Sequence, residues 1–93
     1  MARISVRYMA QLKQAAGAAC EEIVLPAPCP VRDLLLALTD RHGAPLRSLL
    51  LDAGGSLQPT ILVFVGDEQV SANDGPPLKD GVVVTLLSPI AGG

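Results

Sequence analysis

Two short runs, Thr60–Val65 and Val82–Leu87, are apolar or β-branched at every position. A strand with one wet face alternates apolar and polar residues, so runs without alternation that are too short for a helix read as interior strands of a sheet. Interior strands need neighbours, and the chain supplies candidates. Arg3–Tyr8 alternates, with Ile4, Val6 and Tyr8 on one side and Arg3, Ser5 and Arg7 on the other, the pattern of a half-buried strand. Glu21–Leu25 reads as a second strand, with Ile23 and Leu25 on one face and Pro26 at its end. Glu68–Val70 reads as a short strand after a turn at Gly66-Asp67.

One helix stands out. Val31, Leu34, Leu35 and Leu38 recur at helical spacing, while Leu36 falls off the stripe. Pro30 suits the first position of a helix. Asp33 near the start and Arg41 with His42 near the end complement the helix dipole, and Gly43 closes the segment. Ala10–Ala16 is a shorter helical stretch stopped by Gly17, and Pro45 opens another, with Leu46, Leu49 and Leu50 as its apolar side. Residues 52–59 read as a loop, as do 72–77, and Asp80-Gly81 as a tight turn.

The predicted order is β-β-α-β-β-β. The expected fold is α+β, a mixed sheet of about four to five strands with the main helix across one face. The last strand goes beside the first. Residues 1–87 form the body and 88–93 a tail without periodicity or anchor.

Composition narrows the function. Apolar residues make up 49% of the 93, enough for one ordered core. Seven basic and nine acidic side chains are scattered, giving a net charge of −2, and aromatics are only 2%. A nucleic-acid surface needs clustered positive charge or stacking faces, so neither nucleic acid nor an anionic membrane is expected as a partner. No apolar run approaches the roughly 18 residues of a membrane helix, and no leader pattern opens the chain. A cytoplasmic location with Cys20 and Cys29 reduced is the expectation. Two cysteines without Cys-x-x-Cys spacing do not make a zinc site, so no metal is expected. Gly54-Gly55 lacks the features of a phosphate loop. His42 needs no role beyond that of a cation at a helix end.

Three stretches carry a resemblance. They are Arg3-Ile4-Ser5-Val6-Arg7-Tyr8-Met9-Ala10-Gln11-Leu12 with Gly17, Pro30-Val31-Arg32-Asp33-Leu34-Leu35, and Pro77-Leu78-Lys79-Asp80-Gly81-Val82-Val83-Val84 leading into Ser88-Pro89-Ile90-Ala91-Gly92-Gly93. Together with the element order they resemble the sulfur carriers of the MoaD/ThiS type, which include the small subunit of molybdopterin synthase and the thiamin sulfur carrier. The resemblance implies a β-grasp, or ubiquitin-like, fold. Molybdopterin-type carriers commonly close on Pro-Pro-Val-x-Gly-Gly, whereas here Ser88 replaces the first proline and Ile90 the valine. The extra length over residues 43–57 resembles the molybdopterin small subunit, or carriers feeding cysteine or another sulfur metabolite, more than the thiamin carrier.

The resemblance also implies a chemistry. A terminal carboxyl, with a pKa of about 3.3–3.7, is an unreactive carboxylate at neutral pH and must be activated. An E1-like adenylating enzyme of the MoeB/ThiF type would use ATP and magnesium, both held by that partner and not by this chain, to form an acyl-adenylate at Gly93. A sulfur donor would then give a thiocarboxylate. Glycine threads a narrow channel, and six extended residues reach roughly 20 Å, so Pro89, Ile90, Ala91 and Gly92 would carry Gly93 into a partner's site. The receiving partner would be a sulfur-accepting biosynthetic enzyme, such as the large subunit of molybdopterin synthase. The chain would be a co-substrate rather than an enzyme. Arg3, Arg7, Leu62 and Phe64, with Leu86 and Leu87, are candidates for the docking surface, although Leu62 and Phe64 also fit the core. Two alternatives stay open: a ubiquitin-like modifier joined through Gly93 to lysines, and an interaction module with an inert tail.

Overall fold

Strand β1, Ala2–Met9, buries Ala2, Ile4, Val6 and Tyr8 and leaves Arg3, Arg7 and Met9 exposed. The computed structural model describes residues 2–26, 28–58, 60–70 and 77–88. Within them the chain continues through α1 (Gln11–Ala16), β2 (Cys20–Leu25), α2 (Val31–His42), α3 (Ala44–Leu50), β3 (Leu62–Val65), β4 (Glu68–Val70) and β5 (Val83–Leu87). The loop predicted over residues 72–77 lies outside the described residues except for Pro77.

The strands form one sheet in the order β2-β1-β5-β3-β4. The last strand sits beside the first, as its uninterrupted apolar run requires, and the two run parallel, with Tyr8 opposite Leu86 and Met9 opposite Leu87. The other pairs are antiparallel. Five strands and a main helix make the mixed α+β plan anticipated from the sequence.

The helical stripe is the core's other wall. Val31, Leu34, Leu35 and Leu38 are buried, and Leu36 stays exposed. Pro30 is the cap rather than the first helical residue; its extended backbone suits the step before the helix. Leu46 and Leu50 of α3 close the same core. Each fully buried leucine contributes about 1.5–3 kcal/mol relative to an exposed one. Between α2 and α3 the chain turns at Gly43, whose φ of 80° is open to glycine and strained for other residues. Gly81 plays a similar part before β5: at φ 85° its N–H donates to the Arg3 carbonyl at 2.9 Å, tying the turn to β1.

Among the described residues, helices cover only one face of the sheet. The inward residues of β5, Val84 and Leu86, are buried, but Val83 is 38% exposed. The apolar pattern of this strand thus reflects its interior place in the sheet, not cover on both faces. Ser88, expected as the first tail residue, is buried, so the packed body extends one residue further. No helix among the described residues is long and apolar enough to cross a membrane.

Candidate functional site

The open face of the sheet is built by register. One row crosses all five strands: Cys20 pairs with Arg7, Arg7 with Thr85, Thr85 with Phe64, and Phe64 with Gln69. The next row toward the end of β1 and β5 holds Met9, Leu87 and Leu62. In the opposite direction lie Glu22, Ser5 and Val83, and then Val24 beside Arg3. Side chains of directly paired residues share a face. Arg3, Arg7, Leu62 and Phe64 are therefore on one surface, and the alternative that Leu62 and Phe64 belong to the core does not hold.

The same surface holds apolar residues that the sequence did not single out. Met9 is 42% exposed, Val24 51% and Val83 38%. Period alone gives no reason to leave such side chains uncovered; the register that aligns them with Phe64 and Leu87 does. Leu86 is a correction: it pairs with Val63 on the inward side and is fully buried. Leu87 belongs to the open face.

Charge is unevenly distributed on this face. Arg3 lies 3.7 Å from Glu22, so its guanidinium is paired, and its backbone N–H donates to Asp80 Oδ1 at 2.8 Å. Arg7 has no ion-pair partner among the described residues, nor does Lys13 on α1.

A second cluster joins the sheet to α2. The Tyr8 hydroxyl donates to Glu21 Oε1, and His42 Nε2 approaches the same oxygen at 2.6 Å. Arg41 Nε lies 3.6 Å from Glu21 Oε2, and the Tyr8 and His42 rings meet edge to face with centroids 5.9 Å apart. Burial raises the Glu21 pKa, but the hydrogen bonds from Tyr8 and His42 and the neighbouring cationic charge outweigh it, leaving the carboxyl below its ordinary value. Burial, with the Glu21 contact, pushes the Tyr8 phenol well above its ordinary value. His42 is thus more than a helix-end cation: it braces α2 against β1 and β2.

The cysteines stand apart. Cys20 is exposed at the start of β2, and Cys29 is buried in a bridge to Leu78, its thiol pushed up by burial and by the charge of Asp33. Among the described residues no three His, Cys, Asp or Glu side chains gather as a metal site. Pro89, Ile90, Ala91, Gly92 and Gly93 lie outside the described residues. Their root is placed: β5 delivers Ser88 at the end of the sheet where Met9, Leu87 and Leu62 meet.

Comparison with known proteins agrees with this arrangement. The profile of the ThiS family matches residues 6–93. SAMP1 from Haloferax volcanii superposes with a TM-score of 0.87 at 24% identity, over 98% of this chain and 99% of its own, a likeness of fold. A Pyrococcus furiosus protein assigned as molybdopterin converting factor, subunit 1, is 29% identical, with a TM-score of 0.75 over 97% of this chain and 100% of its own. The small archaeal modifier protein 1 from Methanosarcina acetivorans is 26% identical, with a TM-score of 0.81 over 100% of this chain and 98% of its own. No curated protein matches the sequence.

Proposed function

We propose, on the premise that this chain belongs to the ThiS family, that it is a sulfur carrier whose Gly93 carboxylate is adenylated by a partner and converted to a thiocarboxylate. The observation that carries this reading is the family match, which runs through Gly92 and Gly93. A carboxylate oxygen of Gly93 attacks the α-phosphorus of ATP, and pyrophosphate leaves. A sulfur nucleophile then attacks the acyl carbon and AMP leaves with the bridging oxygen. With hydrosulfide as that nucleophile, loss of its proton leaves a terminal thiocarboxylate, which passes its sulfur to an accepting biosynthetic enzyme.

In this scheme the chain contributes position, not acid, base or metal. Its open face docks on the adenylating enzyme, which binds ATP and magnesium. Residues 89–93, about 17 Å when extended, carry the reacting group from Ser88 into that enzyme's site. The likeness to a molybdopterin converting factor subunit favours the molybdopterin dithiolene as destination over cysteine or another sulfur metabolite.

A second reading has its own support. The small archaeal modifier protein 1 from Methanosarcina acetivorans is among the similar structures, so transfer of activated Gly93 to lysine amines is the alternative fate of the same adenylate. Intact mass spectrometry separates them. The chain is incubated with ATP, a sulfide source and the adenylating enzyme of its organism. Replacement of one oxygen by sulfur, lost on deletion of Gly93, is the expected result. An adenylate without sulfur gain, with Gly-Gly remnants on lysines of other proteins, would establish the modifier instead. No change with a competent enzyme would leave an inert module.

A further inference from the structure

We propose that Arg7 and Lys13 form a cationic seat for carboxylate side chains of the adenylating partner, beside the point where the chain leaves the sheet. The inference rests on the adenylation reading above. The two side chains line a recess of about 300 Å³ between the end of β1 and the start of β2, together with Met9, Ala10 and Cys20. Because β1 and β5 are adjacent parallel strands, Met9 stands opposite Leu87, and the recess lies within two strand spacings, roughly 10 Å, of the root of residues 89–93.

Charge selects the occupant. The chain is acidic overall, at −2, yet this end of the open face presents two cations without ion-pair partners among the described residues. At the other end the Arg3 guanidinium is already paired with Glu22. An acidic partner surface is therefore attracted at the end of the sheet where β5 delivers Ser88, which favours one orientation as well as encounter. The phosphates of ATP are a poor alternative, since Gly93 would react roughly 17 Å further out were residues 89–93 extended.

Backbone geometry singles out the same place. Ala10 is the one non-glycine residue with positive φ among those described, at 56°. It sits in the turn that swings α1 back from β1, and its carbonyl accepts from the Lys13 N–H at 3.1 Å. Such strain persists only where surrounding structure over-determines it. Here the strained turn sets Lys13 beside Arg7 rather than leaving it on a free loop.

The test measures ATP–pyrophosphate exchange by the adenylating enzyme of the same organism as the carrier concentration varies. A double variant, Arg7→Glu with Lys13→Glu, is compared with Arg32→Glu plus Arg47→Glu, which makes the same change in net charge on exposed residues of α2 and α3. The recess variant should raise KM for the carrier about tenfold or more, with kcat within about twofold. The helix variant should stay within about twofold of the parent in both. Raising salt should raise KM for the parent and less so for the recess variant. If the double reversal does not fold, Arg7→Gln with Lys13→Gln replaces it and should give a smaller rise in KM in the same direction. A recess variant that behaves like the helix variant would overturn the seat while leaving the carrier reading intact. A parent chain that the enzyme does not adenylate would overturn the reading beneath it.

Discussion

His42 Nε2 lies 2.6 Å from Glu21 Oε1, so the last turn of α2 is held to edge strand β2 through a single carboxylate that also accepts from Tyr8. Replacing Glu21 with Ala removes the acceptor for two largely buried groups. The expected loss is about 1–3 kcal/mol, the penalty of leaving a buried donor unpaired. Urea unfolding at neutral pH measures it, and a loss within error of zero would make the cluster incidental.

The same carboxylate gives stability a pH dependence. Its folded-state pKa is lowered, so its contribution is fully present above the ordinary carboxylate pKa and disappears as pH falls through the folded value. The difference in stability between the parent and Glu21→Gln should therefore shrink below about pH 4.5. Unfolding curves at several pH values test this. A difference that persists unchanged into acid would show that the carboxylate's charge is not what stabilises the brace.

Ala10 offers a stabilising substitution. Its positive φ costs roughly 1–3 kcal/mol, whereas glycine adds about 0.4–1 kcal/mol of unfolded-chain entropy. Ala10→Gly should raise stability by about 1 kcal/mol, read as a higher Tm. If α1 then loosens around Lys13, KM in the adenylation assay should rise even as Tm does.

The two faces of the sheet should respond oppositely to mutation. Leu86→Ala, on the buried side, should cost about 2–5 kcal/mol and leave the open face intact. Phe64→Ser, on the open side, should change stability far less but lower the efficiency of adenylation about tenfold or more. Calorimetry and pyrophosphate exchange on both variants check the pair. Equal loss of Tm in the two would place Phe64 in the core after all.

Much of this architecture was legible. The stripe Val31, Leu34, Leu35, Leu38 requires a helix with one buried side, and the unbroken apolar run of Val82–Leu87 requires an interior strand. The side to which Leu62 and Phe64 belong was not legible, because two apolar faces look alike until pairing with Leu87 and Thr85 assigns them. The brace was hidden for a different reason. Tyr8, Glu21 and His42 are far apart in sequence, and each is individually unremarkable where it stands; only the crossing of two strands and a helix end brings them together. The recess was half visible. Arg7 was on the anticipated surface, but Lys13 joins it only through a backbone turn that alanine propensity argues against.

Strand β5 pairs with β1 from Ser5 opposite Val83 to Met9 opposite Leu87, a contact between the two extremes of the described chain. Contacts of such long sequence separation form only after a costly loop closure. A nascent chain emerging from the ribosome has no β5 to insert, and β1 waits with one edge unpaired until residues 83–87 have been made. The segment that leads from Ser88 is therefore rooted in the sheet only once β5 has inserted. An enzyme that recognises the open face together with that root would discriminate folded chains from fragments that lack β5, with no separate proofreading step.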